Sequence, residues 1–295
     1  MTEGSALRLR AADTEATFLP DLGMVGTSLR VDGEELLALP GGLEAYRAGH
    51  VTGLPLLAPW ANRLSQRQYE IAGVDVDLAG LDLPDDGHGL PIHGTMTAQP
   101  GWEIVDRTSS SAQVRFDYGA RADLLRAFPF PHELVLDLDV ADGRLRVGTT
   151  VRPTADRQVP ISFGWHPYLA LHAPRAETEL LLPASRHLLL DDRGLPTGDT
   201  EAQRAGSVPL GDRAYDDGYA LGDNRRLAVE DARRSITLDL GDGYRFAQVY
   251  SPDAAAFACL EPMTAPTNAL VTGAARLIDP GGAFTADFTI AVTRA

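Results

Sequence analysis

Between His132 and Val151 the chain alternates with a period of two. Leu134, Leu136, Leu138 and Val140 alternate with Val135, Asp137 and Asp139, and the pattern resumes through Leu145, Val147 and Thr149 after Asp142-Gly143. Successive residues of a strand point to opposite faces, so such a run buries one side and wets the other. Two runs joined by Asp-Gly read as a hairpin, because that pair supplies the positive φ angles of a type I′ turn. Weaker runs of the same kind predict strands over 6–10, 68–71, 74–78, 102–107, 113–118, 235–240, 247–250 and 283–292. Frequent prolines work against long helices, and only 122–128 and 267–271 read as short helical turns. Half-buried strands need a second layer over their apolar faces, so the expectation is an all-β fold, an antiparallel sandwich or barrel. No linker, repeat or low-complexity tract divides residues 1–295, which are read as one domain.

Composition removes several kinds of chemistry. All 26 basic residues are arginine, so Schiff-base, pyridoxal-phosphate and Walker A mechanisms have no lysine to use. Cys259, the single cysteine, sits in the apolar run Ala-Phe-Ala-Cys-Leu and reads as a buried, inert thiol. A formal net charge of -15 disfavours nucleic acid and anionic membrane surfaces as partners and suits a neutral small molecule. No run of eighteen apolar residues is present, and Met1–Arg10 lacks the apolar core of a secretory leader, so a cytoplasmic location is expected. The seven histidines show no local metal-ligand spacing, and no metal or cofactor is expected.

Five segments set polar groups among apolar or turn-forming residues: Asn62-Arg63, His93-Gly94, Trp165-His166-Pro167-Tyr168, Asp216-Asp217 between Tyr215 and Tyr219, and Glu261-Pro262. Glu261 closes an apolar run, and the proline after it is expected to stop the ladder and leave the carboxylate at a strand end. There it is either a general base or the partner of an arginine at the sheet rim. His166, between Trp165 and Pro167-Tyr168, is either a proton donor or a packed imidazole. Trp165 either stacks on a ligand ring or belongs to the core. Asn62, Arg63 and His93 suit hydroxyl recognition, or else fasten loops. Asp216 and Asp217 either bind or open a turn.

Taken in order, the five segments resemble the aldose 1-epimerase (galactose mutarotase) family. The last of them runs Glu-Pro-Met-Thr-Ala-Pro-Thr-Asn-Ala from Glu261, and the five segments in order, not any one motif, carry the resemblance. The resemblance implies a large antiparallel β-sandwich and a cofactor-independent isomerase that interconverts the α and β anomers of a free aldose. In that family's terms Glu261 is the general base at the C1 hydroxyl, and His166 is the acid at the ring oxygen. His93 assists near that oxygen; Arg63, supported by Asn62, binds hydroxyls; Asp216 or its neighbour Asp217 is the acidic binder; and Trp165 and Tyr168 line the sugar. After His166 the chain reads Pro167-Tyr168-Leu169 where the galactose-specific branch reads on into Phe-Asn-Leu, which leaves the sugar open, while Trp165 before His166 and the Glu-Pro-Met-Thr segment at Glu261 are similar to the broad bacterial branch. A sugar-binding protein without turnover and a hexose-6-phosphate epimerase are the alternatives. The expected partner is a monosaccharide, and the expected assembly is a monomer or homodimer.

Overall fold

A computed structural model describes residues 6–294. Residues 1–5, half of the segment read as lacking a secretory leader, lie outside the described residues. Among the described residues no helix is long and apolar enough to cross a membrane.

Antiparallel strands dominate, as the alternation requires. The His132–Ala141 and Arg144–Pro153 strands pair in register from His132 opposite Pro153 to Ala141 opposite Arg144. Their turn departs from the expectation in one respect: of Asp142 and Gly143 only the glycine has positive φ, at 67°, so the turn is not type I′. The Gly143 N–H donates to Thr14 Oγ1, and its carbonyl accepts from the Val292 N–H. These tertiary bonds hold the turn in a geometry that the local pair alone does not select.

This hairpin lies inside a nine-stranded sheet running from Gly206–Pro209 at one edge to Glu103–Arg107 at the other. An eight-stranded sheet contains Tyr215–Leu221, Phe246–Ser251, Phe257–Met263, Gly164–Trp165 and Leu56–Leu57 in that order, and Tyr168–Ala170 also pairs with Phe257–Met263. A four-stranded N-terminal sheet spans Leu7 to Glu35. The two large sheets share one core, and Trp165 is a strut between them. Fully buried, it donates its indole N–H to Thr149 Oγ1 at 3.0 Å and packs on Phe288, both on the nine-stranded sheet.

Among the described residues helix is confined to short pieces: α-helical Gly42–Arg47, Ala122–Leu125 and Ala269–Thr272, and 3-10 turns at Pro20–Leu22 and Arg175–Glu177. The expected turn at 122–128 is present but trimmed, the one expected at 267–271 is shifted to Ala269–Thr272, and Gly42–Arg47 carries no sequence signal strong enough to find. Proline after Glu261 does not end its strand, contrary to expectation: Phe257–Met263 continues past it, with Pro262 opposite Ala247. The Thr264 N–H donates to Phe163 O. By alternation the Pro262 nitrogen looks to the same side, where the ladder is interrupted between Gly164–Trp165 and Tyr168–Ala170, so a missing donor costs nothing there.

Candidate active site

The outer face of the eight-stranded sheet carries the site. Gln248 is the cross-strand partner of Glu261, and Asp216 is the partner of Tyr250. Residues two apart share a face, so Gln248, Tyr250, Glu261 and Asp216 all project to the side away from the core. His166 joins them because Gly164, Trp165 and His166 alternate, which sends Trp165 into the core and His166 outward. The resulting cleft of about 190 Å³ is lined by Asn62, Arg63, His93, His166, Tyr168, Asp216, Gln248, Tyr250 and Glu261, with Val51 and Ile92 as apolar wall. That is below the roughly 300–1,000 Å³ of pockets for drug-sized ligands and suits a small polar molecule.

At the floor, His166 Nε2 and Glu261 Oε1 stand 3.2 Å apart, with Glu261 2% and His166 4% exposed. The imidazole stacks on Tyr168 at 4.6 Å between centroids and meets the edges of His93 and Tyr250. Its backbone N–H is fixed by Pro55 O. Burial drives the Glu261 carboxyl well above the usual carboxylate range, the nearby Asp216 charge adds to this, and Arg63 opposes it. Burial, with His93 adding, drives His166 well below the usual histidine range. Both directions disfavour a net charge at this spot, so the pair holds one proton between its two members.

His93 and Asn62 fasten each other. Asn62 donates its backbone N–H to His93 Nδ1 at 3.3 Å, and His93 donates its own to Asn62 O at 3.1 Å. Both residues have left-handed backbones, with φ of 59° and 63°. Burial and the Arg63 charge lower His93 to about 3, so it is neutral. Its Nδ1 accepts, and the proton therefore sits on Nε2 as a donor. Gly94 follows at φ 71°, and a Cβ there would run into Ala58 O, the carbonyl that accepts the Thr95 and Met96 N–H groups. Only glycine fits this approach.

Arg63 is held on three sides. Its Nε donates to Asp86 at 2.7 Å, Nη1 to Asn62 Oδ1 at 3.1 Å and Nη2 to Asp216 at 3.2 Å. Burial alone would raise the Asp86 carboxyl; the N–H groups of Leu90 and His88, with Arg63, overcome it and hold the carboxyl low. Asp216 also accepts from Gln248 Nε2 at 2.6 Å.

All nine residues singled out from the sequence are thus placed, and seven of them line the cleft: Asn62, Arg63, His93, His166, Tyr168, Asp216 and Glu261. Trp165 does not reach it, being a core residue on the opposite face. Asp217 points to that opposite face too, where it meets His187 Nε2 at 3.2 Å and Arg213 at 2.7 Å. Sequence reading missed Gln248, Tyr250, Asp86 and Asn268. Gln248 was detectable as the polar member of a predicted apolar strand. Asn268 lay in the quoted Glu261 segment; its N–H bonds Arg63 O, and its Oδ1 accepts from the Ser65 N–H, so it clamps the Arg63 loop. Asp86 sits in a run of turn residues that gives no hint of a partner.

The architecture is that of the galactose mutarotase-like proteins. A galactose mutarotase-like protein from Clostridium acetobutylicum superposes with a TM-score of 0.87 at 18% identity, covering 98% of this chain and 95% of that one. A Synechocystis protein gives 0.81 at 22% identity, with 99% and 96% covered. An aldose epimerase homologue from C. elegans gives 0.79 at 15%, with 99% and 100% covered. No curated protein matches by sequence. The family model described as aldose 1-epimerase matches residues 6–286, and the chain belongs to that family.

Proposed function

We propose that the protein is an aldose 1-epimerase acting on a neutral free monosaccharide. One observation carries this reading: a buried carboxyl and imidazole, 3.2 Å apart, share the floor of a small polar cleft. Ring opening of a hemiacetal needs a base at the C1 hydroxyl and an acid at the ring oxygen, held together. The raised carboxyl and lowered imidazole keep the shared proton on Glu261 at rest. Its transfer to His166 across the 3.2 Å contact gives the reactive form, in which Glu261 as carboxylate takes the hydroxyl proton, the C1–O5 bond breaks, and His166 delivers its proton to O5. The pair then holds the same single proton on Glu261 instead of His166, so its total charge does not change in a site that penalises charge. Rotation about C1–C2 turns the other face of the aldehyde, and the reverse transfers close the opposite anomer. His93 offers its Nε2–H toward the oxygen that gains charge, while Arg63 and Asp216 contact hydroxyls.

Support for a neutral sugar over a hexose 6-phosphate comes from charge. Arg63 is the only cationic side chain among the described residues lining the cleft, and Asp86 and Asp216 already engage it. Saturation-transfer NMR of anomer exchange with glucose, galactose, xylose and arabinose tests the proposal. Acceleration above buffer is expected for at least one sugar. Calorimetric sugar binding without any acceleration would instead select a binding protein.

A further inference from the structure

The tip of the hairpin at the edge of the eight-stranded sheet reaches Arg63. Ser185–Leu190 and Pro196–Gln203 pair at that edge, and their register shifts between Leu188 and Leu190. A bulge of this kind bends the strand that carries it. The tip beyond it is built from its own bonds. The Asp191 N–H donates to Leu195 O at 2.8 Å, and the Gly194 N–H donates to Asp191 O at 2.9 Å. Asp191 Oδ1 accepts the N–H groups of Arg193 at 2.9 Å and Leu195 at 3.0 Å. These bonds, that from Leu195 foremost, hold the Asp191 carboxyl below the usual carboxylate range. Gly194 takes the left-handed backbone the turn requires, with φ 72°, and it faces Arg63. A Cβ on it would stand 3.0 Å from Arg63 Nη1, 3.1 Å from Cζ and 3.3 Å from Nε. With Cζ about as near as the two nitrogens, that point lies over the flat face of the guanidinium and not beyond its edge. The guanidinium thus fills the room that a side chain at 194 would take.

Asp86, Asn62 and Asp216 hold the guanidinium within its own plane. A backing against one face is what stops it from tilting out of that plane, and the hairpin tip supplies it. Nη1 and Nη2 each carry a second N–H, and the Arg63 side chain makes no further hydrogen bond among the described residues. Those two N–H groups are the ones a ligand can use, and because the fork is rigid their aim follows the tilt of the plane. We propose that Gly194 is a positioning residue for sugar binding: its missing side chain lets the hairpin tip back the Arg63 guanidinium and set the angle at which the spare N–H groups meet sugar hydroxyls. Gly194 does not itself line the cleft, so it acts through the arginine. The proposal rests on the epimerase reading only in so far as Arg63 binds a sugar.

Calorimetric sugar binding and saturation-transfer NMR of anomer exchange on the full chain provide the test, with Gly198→Ala as the control. Gly198 lies in the same hairpin at φ 96° with open space where its Cβ would go, so alanine there strains the backbone without touching Arg63. Gly194→Ala should raise Kd and KM by about tenfold, the scale of one weakened charge-assisted hydrogen bond. It should leave kcat within about threefold, since the arginine holds the sugar and not the reacting atoms. Gly198→Ala should leave all three unchanged. Gly194→Asn tolerates the left-handed backbone yet still carries a Cβ; it should act like alanine and keeps the test open if the alanine variant fails to fold. In an Arg63→Lys background, where no flat face remains to displace, Gly194→Ala should change Kd by less than about twofold. Wild-type Kd and KM in Gly194→Ala, or an equal rise in Gly198→Ala, would overturn the proposal. Binding that weakens in Gly194→Ala while the wild type shows no anomer exchange would sink the epimerase reading alone and leave the positioning role standing.

Discussion

His166 Nε2 and Glu261 Oε1 lie within hydrogen-bonding distance at 3.2 Å, and among the described residues neither side chain has another charged group as close. Each is therefore the other's principal partner, and removing either leaves its neighbour buried alone. Glu261→Gln and His166→Ala are each expected to lower the rate of anomer exchange by at least ~10²-fold, the usual scale for a lost general acid or base. The check is saturation-transfer NMR at saturating sugar. Near wild-type rates in both variants would remove the proposed roles.

Because burial raises Glu261 and lowers His166, the active one-proton pair should persist over a broad pH range. The rate should fall on the acid side when the pair takes a second proton, below the ordinary histidine range. On the alkaline side it should fall when the single proton is lost, above the ordinary carboxylate range. Stability follows the same count. Unfolded, the two groups titrate near roughly 4.3 and 6.5. Above about 6.5 the unfolded pair holds no proton and the folded pair one, so stability declines as pH rises. Below about 4.3 the unfolded pair holds two, and stability declines as pH falls. His93, lowered to about 3, adds a loss as pH falls from the ordinary histidine value toward that figure. Urea midpoints across pH should show both limbs, and Glu261→Gln should flatten the alkaline one. An unchanged alkaline limb in that variant would show that the raised carboxyl is not its source.

Asp216 and Asp217 are adjacent, yet only Asp216 reaches the cleft, where it joins Arg63 and Gln248. Asp216→Asn should reduce kcat/KM by roughly 10- to 100-fold, the range for a hydrogen bond to a charged group. Asp217→Asn, which disturbs His187 and Arg213 instead, should leave kcat/KM within about twofold, as most substitutions away from a site do. Kinetics of the two variants side by side decide the matter; the opposite ranking would place the acidic binder on the wrong residue.

The fold was readable because period-two alternation reports directly on half-buried strands, and the longest hairpin was found with its residues in place. Reading stopped where tertiary contacts overrule local pattern, as at Gly143, whose turn is set by Thr14 and Val292, and at Pro262, which sits in a gap of the ladder. Within the site, residue types were legible before their directions were. Asp216 and Asp217, or Trp165 and His166, are neighbours in sequence on opposite faces of one sheet, and only the register of the pairing strands says which faces the cleft. Asp86 was invisible because its partner Arg63 is 23 positions away.

Trp165 gives the last test, since stacking on a sugar and bracing the core predict opposite results. Its indole spans the sheets, donating to Thr149 Oγ1 and packing on Phe288, with no exposed surface. Trp165→Phe removes the N–H donor and leaves a void, so the chain should lose stability by about 1–3 kcal/mol. Tyr168 and His166 keep their places on the other face, so KM for the sugar should stay within about twofold of wild type. Urea unfolding and steady-state kinetics on the same preparation separate the two roles. A raised KM without loss of stability would put the tryptophan in the cleft after all.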